Sequence, residues 1–168
     1  MERLTTLYID KESHKFSAAH YTIFSATERE RLHGHNYSVS ARIVAPIGNN
    51  GFSADYNVYK NRIKILCDSL DEYMLLAENS PVQEIEEDGN NYRVRFADDE
   101  MLFLRSDTLL LPILNVTIEE LSQFLLEKLV QESVGEDLRE LELCVASGSG
   151  QNACSRWCPE DARQVSKQ

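Results

Sequence analysis

Between positions 35 and 45 the chain reads HNYSVSARIVA, and the character of its side chains changes with a period of two. Tyr37, Val39, Ala41 and Ile43 fall on one side, and Asn36, Ser38, Ser40 and Arg42 on the other. That is the pattern of a strand with one face against a core and the other toward water. Such a strand needs neighbours along its edges and a second layer over its apolar face, so the chain must build a sheet packed against something else. Pro46 and the Gly48-Asn49-Asn50-Gly51 cluster end it.

The other elements fit that frame. Residues 4 to 20 read as extended, with a turn or bulge around Asp10 to Ser13. Residues 55 to 76 read as a helix with Asp55 as N-cap and an apolar stripe of Val58, Tyr59, Ile63, Leu66, Cys67 and Leu70. Two alternating runs around Asp88-Gly89-Asn90-Asn91 predict a β-hairpin, and residues 101 to 105 a third short strand. Thr117-Ile118-Glu119-Glu120 opens a second helix as a capping box, with Leu121, Phe124, Leu125, Leu129 and Val130 on its inner face. Residues 138 to 146 alternate again as a last strand. The order strand, strand, helix, hairpin, helix, strand predicts an α+β domain with an antiparallel sheet. One domain over 1–168 is expected from the length, with an inserted hairpin at 82–105 and an irregular tail at 148–168.

Charge narrows the function. With a net charge of -11, the chain shows no basic face for a nucleic acid or an anionic membrane surface. No stretch approaches the ~18 apolar residues of a membrane span. The first sixteen residues carry charges throughout and no apolar signal region, so a cytoplasmic protein with reduced thiols is expected.

The chain has four histidines, and three have a reason to meet. His33 and His35 are two apart at the start of a strand, so they project from one face. An antiparallel return can bring His20 opposite His35. Three imidazoles without a neighbouring cysteine suit zinc and leave a fourth position for water or substrate. An HxH pair alone also occurs in ordinary packing. His14, in the charged stretch KESHK, reads as solvated.

At these residues the chain resembles a known family. FSAAH at 16–20 followed by LHGHNY at 32–37 is similar to the zinc motif of the 6-pyruvoyl-tetrahydropterin synthase and 6-carboxytetrahydropterin synthase family. Gly51-Phe52 with Asp55-Tyr56 and Lys60, Leu70-Asp71, and Asn115-x-Thr117-x-Glu119 resemble later segments of the family in the same order, up to about residue 153. The resemblance implies the tunnelling fold, a four-stranded antiparallel sheet with two helices on one face, and a homo-oligomer, commonly a trimer or a hexamer. It implies zinc on His20, His33 and His35, and a lyase acting on the side chain of a 7,8-dihydroneopterin triphosphate-like substrate. Thr117 and Glu119 would line the pterin pocket, and Asp71 would be the acid of the family's Asp-His pair.

Three departures sharpen that expectation. The family's usual cysteine before HGH is absent from Thr27-Glu28-Arg29-Glu30-Arg31-Leu32, and ERLHGH resembles a branch with glutamate there. Glu30, with Glu28 as the alternative, becomes the candidate base, its pKa raised by burial toward working pH. This change fits carbon–carbon cleavage of the side chain toward a 6-hydroxymethylpterin. Asp71 is followed by Glu72 where the family has histidine, making Glu72 a candidate for proton transfer or an exposed turn residue. The family's pterin-anchoring glutamate is replaced in the segment Leu143 to Gly148, where Ala146 carries no acid. A second reading follows, a non-catalytic zinc-containing protein that binds a pterin or purine-like ligand. Cys154 and Cys158 read as inert tail thiols, Cys144 and Cys67 as core, and Glu84 to Asp88 as a solvated face.

Overall fold

The computed structural model describes residues 2–159. A six-stranded sheet runs in the order β7 (Thr108–Leu111), β3 (Tyr73–Ala77), β1 (Leu4–His20), β2 (His33–Pro46), β8 (Glu140–Gly148), β9 (Gln151–Trp157), and a separate three-stranded sheet in the order β4 (Gln83–Asp88), β5 (Asn91–Phe96), β6 (Asp99–Leu104). Strands β1 (Leu4–His20) and β2 (His33–Pro46) form its long antiparallel centre, with a register shift between Asp10 and Lys15 where the sequence suggests a bulge. The alternation of β2 is realised as expected. Tyr37, Val39, Ala41 and Ile43 are buried against the helices, and β8 (Glu140–Gly148) adds Leu141, Leu143 and Val145 to the same face.

Two helices cover that face. Helix α1 (Tyr56–Asp68) starts at Asp55, whose carboxylate accepts from the Asn57 N–H at 2.9 Å, and buries Tyr59, Ile63, Leu66 and Cys67. Val58 lies outside this stripe and is exposed. Helix α2 (Ile118–Glu132) starts at Thr117, whose hydroxyl accepts from the Glu120 N–H at 3.3 Å. Its buried face is Leu121, Ser122, Leu125, Leu126 and Leu129, with Phe124 and Val130 packed at the margin.

The sheet is larger than four strands and not wholly antiparallel. The helix expected to reach residue 76 stops at Asp68, and β3 (Tyr73–Ala77) pairs parallel to β1 and to β7 (Thr108–Leu111). The reason is two-sided burial. Leu75 and Ala77 join the helix-covered core, while Met74 and Leu76 join a second core on the opposite face. A strand buried on both faces shows no alternation, and its continuous apolar run is indistinguishable by period from a helix end.

That second core is roofed by the small sheet. β4 (Gln83–Asp88), β5 (Asn91–Phe96) and β6 (Asp99–Leu104) make three strands where the insertion was expected to be a hairpin with a possible third. Their inner side chains Ile85, Val94, Met101 and Phe103 cover Tyr21, Met74 and Leu76. The outer face carries Arg93 between Asp88 and Glu100, and Arg95 beside Glu86, so the acidic run is solvated but paired.

The tail is corrected as well. Residues expected to be irregular from 148 form β9 (Gln151–Trp157), antiparallel to β8; the rest of that expected tail, 160–168, lies outside the described residues. Cys144 points away from the core, directly opposite Cys154, and the two form a disulfide where reduced thiols were expected. Cys67 is core, as its stripe implies. Among the described residues no helix is long and apolar enough to cross a membrane.

Candidate metal centre

His20, His33 and His35 converge where β1 and β2 meet. The register places His20 opposite His33, and Ala18 opposite His35, so His20 approaches His35 on the diagonal and not across the ladder as expected. All three rings still come together. Ring centroids are 4.6 Å apart for His20 and His33, 5.2 Å for His20 and His35, and 4.8 Å for His33 and His35. One donor nitrogen from each lies within 4.8 Å of the others. Gly34 makes the HGH spacing possible. A Cβ there would sit 3.1 Å from the Ala18 carbonyl oxygen and press β2 away from β1.

The backbone selects the tautomers that a cation requires. The Val116 carbonyl accepts from His20 Nδ1 at 2.9 Å, and the Arg31 carbonyl accepts from His33 Nδ1 at 2.8 Å. Both rings therefore present Nε2 inward, the orientation that outer partners of ligating histidines impose. His33 Nε2 and His35 Nε2 stand 3.0 Å apart. Two nitrogens on one tetrahedral ion, each about 2.0–2.1 Å from it, are separated by roughly 3.3 Å, close to that value. His20 Nε2 is buried with no hydrogen-bond partner. A cation would satisfy that orphaned lone pair, and the donor set is the one such an ion needs. Burial lowers the His20 pKa, and His33 and His35 lower it further against the Val116 carbonyl and Glu30. The ring is held neutral and ready to ligate.

Glu30 belongs to this corner. Its carboxylate lies 3.9 Å from His33 Nε2 and accepts from the Thr22 N–H at 3.1 Å. Partial burial pushes its pKa up, but hydrogen bonds from Thr22 and the nearby His33 and His20 outweigh that, and the net shift is downward. The upward shift expected from burial is therefore not found. Glu28 is exposed and its carbonyl closes the loop by accepting from Phe24 and Ser25, which separates it from Glu30. Tyr37 lies beneath the cluster, 5.6 Å from the His35 ring, fully buried and stacked on Phe16.

The other expected site residues are more dispersed. Asp71 and Glu72 are exposed in the turn between α1 and β3; Asp71 Oδ1 accepts from the Ser17 N–H at 2.7 Å, and the Glu72 N–H donates to the Ser17 carbonyl at 2.7 Å. Glu72 has a φ of 65°, so the turn uses a left-handed residue that is not glycine. Thr117 caps α2 next to Val116, the residue that holds His20, while Glu119 is exposed in the first turn. Sequence reasoning missed Thr22, Val116 and Arg29. The first two act through backbone atoms, which carry no side-chain signature.

Comparison with known proteins places the fold. The family described as 6-pyruvoyl tetrahydropterin synthase matches residues 8–153. A Methanocaldococcus jannaschii protein, provisionally named a 6-carboxy-5,6,7,8-tetrahydropterin synthase, is 27% identical over 146 residues, 84% of this chain and 89% of that protein. The crystal structure of 6-pyruvoyl tetrahydropterin synthase from Plasmodium vivax superposes with a TM-score of 0.88 at 27% identity, covering 93% of this chain and 99% of that one. Two variants of that enzyme, described as catalytic residue mutants, replace a glutamate with alanine or cysteine. The Plasmodium falciparum enzyme gives a TM-score of 0.86 at 27% identity over 92% and 98% of the two chains. This chain belongs to the 6-pyruvoyl tetrahydropterin synthase family.

Proposed function

We propose that the chain is a zinc-dependent lyase acting on the side chain of a 7,8-dihydroneopterin triphosphate-like substrate, with Glu30 as general base. The observation that carries this is the single corner holding Glu30 and three histidines with inward nitrogens. The kinship with a Plasmodium vivax enzyme whose catalytic residue is also a glutamate supports it. When bound, zinc on His20, His33 and His35 would polarise the side-chain oxygens of the substrate. Glu30 removes the proton of a side-chain hydroxyl. The bond to the neighbouring carbon breaks, the oxygen's electron pair closes a carbonyl, and the proton returns to the carbon left on the ring. A lowered pKa keeps Glu30 ionised and able to accept that proton at neutral pH.

Val116 and Arg31 hold the histidine rings, and Thr22 aims the Glu30 carboxylate. Thr117 and Glu119 are assigned to the substrate pocket beside Val116. Asp71 and Glu72 are assigned to proton transfer, and the chain to a homo-oligomer, a trimer or hexamer.

A second reading, a zinc-containing ligand-binding protein without turnover, is favoured by one feature. Ala146 offers no carboxylate, and the nearest acid on that strand face, Glu142, is engaged by Arg42 at 3.4 Å. The metal-loaded protein is incubated with 7,8-dihydroneopterin triphosphate and products are followed by mass spectrometry. Side-chain cleavage that disappears in Glu30→Gln supports the lyase; binding without products supports the second reading.

A further inference from the structure

Arg29 ties the loop that carries Glu30 to the small sheet. Its guanidinium carbon lies 5.2 Å from the Tyr21 ring centroid and 5.8 Å from that of Phe96, contacts between the end of β1 and the end of β5. One terminal nitrogen donates to the Glu30 carbonyl at 3.0 Å, and the other to Asp99 Oδ2 at 3.0 Å, at the start of β6. Tyr21 in turn donates to Gln83 at 2.7 Å, at the start of β4. Both rings are buried, so the cation sits on a desolvated platform.

Glu30 is thereby held at three points. Its N–H donates to the Thr22 carbonyl at 2.8 Å, its carbonyl accepts from Arg29, and its carboxylate accepts from the Thr22 N–H. Asn115 fastens the start of this loop, accepting from the Ile23 N–H at 3.0 Å and donating to its carbonyl at 2.8 Å, but the middle, Phe24 to Glu28, is exposed, and Arg29 is what ties the part beside Glu30 to the small sheet. A planar guanidinium reaches two acceptors with separate nitrogens of a rigid fork while lying against aromatic rings; a lysine ammonium carries its three donors on one nitrogen and has no plane to stack. We propose that Arg29 is a positioning residue for Glu30, and that the sheet β4–β6, through Asp99 and Phe96, serves as the fixed support of the base. This rests on the reading of Glu30 given above.

The test compares Arg29→Met, Arg29→Lys and Asp99→Ala in the metal-loaded protein. Asp99 is exposed, so its variant perturbs the support without emptying a core. Amide exchange at Thr22 and Glu30, read by NMR, should quicken at least about tenfold in Arg29→Met and Asp99→Ala, while metal content stays constant. With 7,8-dihydroneopterin triphosphate, kcat should fall about 100-fold in Arg29→Met and about tenfold in Asp99→Ala, with Arg29→Lys between them and KM within about twofold. In a Glu30→Gln background, Arg29→Met should add less than about twofold, because both act through one group. Unchanged exchange at both amides, or a full additional loss in the Glu30→Gln background, overturns the proposal. Full turnover by Glu30→Gln alone would instead overturn the base, and the exchange rates would still judge the support.

Discussion

His20 and His14 occupy similar environments and differ in what faces the free ring nitrogen, Nε2 in His20 and Nδ1 in His14. Each is buried, each gives one ring nitrogen to a backbone carbonyl, and each keeps the other nitrogen without a partner: His20 bonds Val116 and His14 bonds Lys60 at 3.1 Å. Burial lowers both pKa values. Only His20 has two further imidazoles aimed at its orphaned nitrogen. An unsatisfied nitrogen can serve as a ligand only where strand register supplies convergent donors; alone, it is a cost carried by the fold.

His20→Ala should lower bound metal at least about tenfold, since loss of an outer partner alone costs 10–100-fold, whereas His14→Gln should leave it unchanged; elemental analysis of both variants decides. Glu30→Gln should lower kcat by about 10²–10⁴-fold with full metal content, and Asp71→Asn by less, because Glu72 beside it can share the proton transfer and an asparagine Oδ1 still accepts from the Ser17 N–H. Equal losses in the two would mean that the turn after α1 matters as much as the histidine corner. Gly34→Ala should destabilise the fold by about 1 kcal/mol or more through the contact with Ala18, and weaken metal binding without removing a ligand; urea titration and a metal-binding isotherm measure the two.

The smallest effect is a slope with pH. Burial holds the His14 imidazole below its ordinary value, so as pH falls the unfolded chain takes up a proton at this position before the folded one does. The stability that depends on a neutral His14 is complete above the unfolded pKa of about 6.5 and is lost as pH drops through it toward the folded value. His14→Gln should therefore lose less of its urea midpoint between about pH 7 and 5.5 than the parent does. An unchanged slope would show that His14 is accessible to protons in the native state.

The histidine corner was legible because its information is local. His33 and His35 share a face by strand period, and one antiparallel return brings His20 to them. What hid was set at a distance. His14 reads as solvated among charges, but the shift between Asp10 and Lys15 turns it inward under α1. β3 reads as helix because the small sheet buries its second face. Leu141, Leu143 and Val145 fix the inner phase of β8 and so turn Cys144 outward, against its reading as core, and its pairing with Cys154 depends on the register of β9, whose sequence reads as irregular tail. Glu30 was found, but the sense of its pKa shift depends on the Thr22 backbone, which no side-chain pattern announces.

The most direct test is anomalous diffraction from crystals grown with zinc. One strong peak within bonding distance of a nitrogen from each of His20, His33 and His35 is the predicted result. No peak among those rings, or a peak held elsewhere while they stay empty, would contradict the account.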